Sequence, residues 1–197
     1  MERFACCKDM TESSSSSPLI TLWYKPGRTL QGLIASGKGR SGALAIAVLF
    51  GLVQVWPTYS AREASGAGFL LLGVAAAVAG LYLFGWLLRN FGRWFGGTAA
   101  LVDVRTALGW GLLPWTAFFG LLLVLVTTTK AEAGQLFPLF FAAILYGFVI
   151  LLYALSTALR LSFMKTFFCM LLTFLVSIFP LTFILQLFLV VPGANAP

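Results

Sequence analysis

Residues 66–88 read GAGFLLLGVAAAVAGLYLFGWLL, an apolar run without a single charge. A helix of about 20 apolar residues crosses the roughly 30 Å hydrocarbon core of a bilayer, so the run is long enough to span. Within lipid, backbone groups must be satisfied inside one helix or around a closed barrel. Barrel strands are short and alternate apolar with polar residues, which this run does not. The stretches 41–57, 107–127, 136–156 and 167–191 have the same character. The sequence therefore predicts an all-α polytopic membrane protein, a bundle of five transmembrane helices. The span at 41–57 is the shortest, so it starts earlier or crosses with little tilt. Pro180 near the middle of the last span predicts a kink, because it removes a backbone donor and crowds the preceding turn.

Composition agrees. Of 197 residues, 60% are hydrophobic and 10% charged, against about a quarter charged in soluble domains. A soluble globular domain and a disordered chain are both excluded. Three cysteines do not make a disulfide framework. Cys6 and Cys7 lie in a leader that carries acids and the serine run at 13–17, so it is not a signal peptide. Cys169 falls inside a span and reads as a small buried hydrophobe.

Lys and Arg set the orientation. Segment 1–40 and the second and fourth connections carry eleven of them, against Arg62 and Lys130 on the other side. The N-terminus is expected in the cytoplasm and the C-terminus outside. The net charge of +7 then belongs to a cytoplasmic rim facing anionic headgroups, not to a nucleic-acid patch. The expected organisation is a disordered leader at 1–22, an interfacial amphipathic segment at 23–40, the membrane domain at 41–191 and an outer tail at 192–197. In the amphipathic segment, Leu30, Leu33 and Ile34 share a helical face among basic residues.

Catalytic groups are scarce. There is no histidine, and the six acids (Glu2, Asp9, Glu12, Glu63, Asp103 and Glu132) all lie outside the spans. That removes the commonest general base and the commonest zinc ligand, and it weakens ion-coupled transport. No enzyme activity, cofactor or metal is expected. GLIASGKG at 32–39 approaches a phosphate-binding loop, but Gly39 stands where a hydroxyl is required and no strand precedes it. Gly37, Gly39 and Gly42 spell a dinucleotide fingerprint that runs into a span instead of a βαβ unit.

Two groups of residues stand out. Trp23, Pro26, Arg28 and Thr29, with Arg89, Arg93, Gly96, Gly97, Asp103 and Arg105, form a candidate cytoplasmic interaction face. In the long second connection, Asp103 and the arginines are placed to pair with one another. Gln54, Pro114, Pro180 and Gln186 are candidate polar or kink positions inside the membrane, with both glutamines expected to bond across helices. Trp110 and Trp115 bracket Pro114, which should bend the third span. Small residues at Gly73, Ala76, Ala77 and Gly80 permit close packing, within the bundle or between copies.

WYKPGRTL at 23–30, five spans, and GRWFGGTAALVDVRTALGWGLLPW at 92–115 resemble Yip-domain membrane proteins of the bacterial branch. The resemblance covers about residues 20–190. Trp23, Pro26, Thr29, Gly96, Gly97, Arg105 and Pro114 carry it most specifically. It implies an integral protein of the bacterial inner membrane and offers no catalytic residues. Eukaryotic members work with Rab-type GTPases in vesicle formation, but their Asp-Leu-Tyr-Gly-Pro segment has no match here. The expected function is a non-enzymatic membrane-organising scaffold or adaptor, with a membrane-protein partner or a second copy. The alternative is a passive channel or permease for a small solute.

Overall fold

The computed structural model describes residues 18–37, 39–61, 67–129 and 137–189. The expectations for Cys6, Cys7, Lys38, Arg62, Glu63, Lys130, Glu132 and the tail at 192–197 fall outside them. The described elements are α1 (Pro18–Tyr24), α2 (Pro26–Ser36), α3 (Gly39–Ala61), α4 (Ala67–Trp94), α5 (Leu101–Gly111), α6 (Leu113–Thr129), α7 (Phe137–Leu159) and α8 (Phe163–Leu189). No strand occurs among the described residues.

Among the described residues, four runs are long and apolar enough to cross a membrane: Gly39–Pro57, Gly68–Trp94, Leu101–Thr128 and Phe137–Leu159. The apolar run Phe163–Phe179 is shorter, although α8 continues as helix to Leu189. Large apolar side chains on the outer faces stay exposed, among them Leu71, Leu121, Phe141, Phe174 and Leu175. In a bilayer these faces meet acyl chains and need no protein cover.

The connection expected at 89–106 is mostly helix. α4 runs on to Trp94, and α5 starts at Leu101. Gly96, at φ 89°, makes the turn between them, a conformation that glycine adopts without steric cost. Asp103 sits in the first turn of α5, where a negative charge complements the helix dipole. Val104, Ala107, Leu108 and Gly111 recur at helical spacing and are buried. α5 packs against α2, α3, α4, α6 and α7, so this short helix forms the centre of the fold. Its charges hid that position, because they ended the apolar run at 107. Taken with α6, the run of 28 residues is about 42 Å long at 1.5 Å per residue and extends beyond the hydrocarbon core.

α5 and α6 meet at Leu112. Pro114 has no N–H to bond the Trp110 carbonyl, which interrupts the ladder there, and its side chain is fully buried. Thr116 caps the joint by donating its hydroxyl to the Leu112 carbonyl at 2.9 Å. The leader expected as disordered through residue 22 instead becomes helical at Pro18. Leu22 of α1 and Leu30 of α2 are wholly buried. The Tyr146 hydroxyl donates to the Trp23 carbonyl at 2.5 Å, and the Trp23 ring packs against Phe118 and Tyr146.

Candidate functional site

The core gathers at one end of the bundle: the starts of α3 and α8, the ends of α4 and α7, and all of α5. Most described basic side chains lie at the same end. Trp110 fastens α5 to the start of α3: its buried indole Nε1 donates to the Gly39 carbonyl at 2.9 Å. Cys169 of α8 donates its thiol to the Leu88 carbonyl of α4 at 3.5 Å.

A pocket of about 260 Å³ opens between α3, α4 and α5. It is lined by Arg40, Ala43 and Leu44 of α3, Leu81 and Tyr82 of α4, and Val102, Arg105 and Thr106 of α5. Arg105 is held in place along its length. Its stem crosses Gly85, where an added Cβ would come within 2.7 Å of Arg105 Cγ. Its guanidinium carbon lies 4.5 Å from the centre of the Tyr82 ring, a cation–π contact. The expected pairing of Asp103 with an arginine is not made among the described residues. Arg105 turns to the tyrosine instead, and no carboxylate pairs with it among the described residues. Arg89 Nε is enclosed and has no acceptor among the described residues.

The candidate interaction face divides into two groups. Arg89, Arg93, Gly96, Gly97, Asp103 and Arg105 lie along the turn from α4 to α5. Gly97 packs on the Leu159 carbonyl, at 2.9 Å from an added Cβ. Arg93 is exposed at the end of α4. Pro26, Arg28 and Thr29 lie on α2, which packs against α7 and α5. Arg28 is exposed, and Thr29 donates its hydroxyl to the Lys25 carbonyl at 3.0 Å. Trp23 is set against Phe118 of α6 and Tyr146 of α7.

Of the two glutamines expected to bond across helices, only Gln54 has a described side chain. Gln54 is exposed on α3 and bonds no other helix among the described residues. It lies within one turn of Pro57, near the end of the apolar run. Pro180 and Gln186 belong to the α8 backbone, and their side chains lie outside the described set. Thr173 and Ser177 donate to carbonyls four residues back, at 2.8 and 2.7 Å, so their hydroxyl protons are used within α8.

Arg40, Tyr82 and Thr106 were missing from the sequence-derived face. One signal was available: Tyr82, Trp86, Arg89 and Arg93 are spaced four, three and four apart, which sets them on one stripe of a helix. Nothing local could show that Arg40 lines the same pocket as Arg105, sixty-five positions away in the chain.

The fold and this site define a multi-pass α-helical membrane protein with a basic pocket at one end. Comparison with known families matches the Yip1 domain over residues 20–184. The chain belongs to the Yip1 family. Comparison with curated proteins and with solved structures returned no match.

Proposed function

We propose that this chain is a non-enzymatic membrane-organising scaffold or adaptor that works through its basic end. The observation that carries the reading is the group of arginines that, among the described residues, have no carboxylate partner, at the end where the core gathers. α8 supplies the fifth span: it has 27 residues, about 40 Å of helix. With five spans, the excess of Lys and Arg puts the N-terminus and the basic end in the cytoplasm and the C-terminus outside. The bacterial branch of the family resemblance supports the inner membrane.

A passive channel has less support. Gln54 faces away from the bundle, and the described hydroxyls of α8 are bonded within their own helix.

The scaffold reading is tested by cross-linked affinity purification of the full chain from native membranes, with and without Arg89→Gln, Arg93→Gln and Arg105→Gln together. The expected result is a stoichiometric membrane-protein partner that the triple variant loses while still inserting. A partner retained in full by the well-inserted variant contradicts the reading.

A further inference from the structure

The pocket between α3, α4 and α5 joins two features that rarely share one surface. Its lining includes two arginines, Arg40 and Arg105, from different helices. The same lining includes the apolar Leu44 and Leu81, and Leu44 is also exposed on α3. A soluble anion would need the arginines but gain nothing from the leucines. An amphiphile would use both.

We propose that this pocket binds the phosphate headgroup of an anionic phospholipid, with an acyl chain leaving past Leu44 along α3. The proposal rests on the orientation given under Proposed function, which places the pocket in the cytoplasmic leaflet. Guanidinium groups suit phosphate because their planar fork donates two parallel hydrogen bonds. Arg105 is already positioned by Gly85 and Tyr82, so little side-chain freedom is lost when the anion arrives. Arg40 is exposed at the first turn of α3. There the free backbone donors and the positive end of the helix dipole add to its charge. With no carboxylate paired to either arginine among the described residues, a net-negative headgroup is preferred over a zwitterionic one. The volume of about 260 Å³ admits one headgroup, so the site holds one lipid and does not merely attract a charged surface.

The test uses the full chain in detergent, titrated with phosphatidylglycerol and with phosphatidylcholine and read by native mass spectrometry. One phosphatidylglycerol is expected to remain bound per chain under conditions that strip phosphatidylcholine. Arg40→Gln should weaken retention roughly tenfold, the loss of about one charge-assisted contact. Arg105→Gln should do the same or more. Arg40 is exposed, so its variant keeps the answer readable should Arg105→Gln destabilise the fold. Lys165→Gln, at an exposed position of α8 outside the pocket, should bind as the parent does. Equal retention of both lipids, or binding unchanged by Arg40→Gln, overturns the proposal. Displacement of the lipid by millimolar inorganic phosphate also overturns it, in favour of a soluble phosphate compound. The orientation is read separately, by labelling a cysteine at Ser41→Cys from either side of the membrane. Labelling from outside with lipid binding intact would refute the orientation and leave the phosphate site standing.

Discussion

Trp110 is the residue on which the basic end turns. Its ring lies over Gly42, where an added Cβ would fall 2.6 Å from Cζ2, and its Nε1 bonds the Gly39 carbonyl. Trp110→Phe keeps most of the packing but removes the donor. The expected cost is about 1 kcal/mol, measured as a lower thermal midpoint in detergent; an unchanged midpoint would contradict the assigned bond. Arg160 works against the fold at the end of α7. It holds φ 56°, in the left-handed region that disfavours a side chain with a Cβ. The Leu161 N–H closes the end on the Ser156 carbonyl at 3.2 Å, as in a Schellman motif. Arg160→Gly should therefore raise the midpoint, by about 1 kcal/mol of stability. A lower midpoint would show that the Arg160 side chain contributes more than its backbone costs.

α5 illustrates why one element was legible as helix yet misplaced. The apolar periodicity of Val104, Ala107, Leu108 and Gly111 was in the sequence, but Asp103 and Arg105 made the segment look like a connection. Only tertiary packing shows that one face of this charged helix is the centre of the fold. That centre depends on close approach. At Gly109 an added Cβ would lie 2.6 Å from Ala43 Cβ and 2.8 Å from its Cα. Gly109→Val should force α3 and α5 apart at a cost of about 1–3 kcal/mol. In lipid-binding or partner-capture assays it should act like loss of the pocket; wild-type stability and binding together would contradict the role given to α5. α1 shows the reverse problem. Its helix starts inside the expected leader, because Leu22 and Trp23 find cover on distant helices that no local pattern could name. Tyr146→Phe removes the hydrogen bond to Trp23 and should speed hydrogen exchange across residues 18–30, with the rest of the bundle unaffected. Unchanged exchange there would mean that ring packing alone holds α1.

For the whole molecule, hydropathy made the membrane class and most spans readable, because bilayer thickness fixes the length of an apolar helix. The pocket was not readable, because it is built by residues from three helices far apart in the chain. The scaffold reading, and the leaflet from which the pocket would draw its lipid, depend on which side of the membrane the basic end faces. The most direct measurement is cysteine accessibility in intact cells. In a Cys6→Ser and Cys7→Ser background, with Cys169 buried, single cysteines are placed at Ser41→Cys and Ala196→Cys. A membrane-impermeant maleimide should label position 196 in intact cells and position 41 only after the membrane is opened. Labelling of position 41 from outside, or both positions on one side, would contradict the five-span arrangement with its basic end in the cytoplasm.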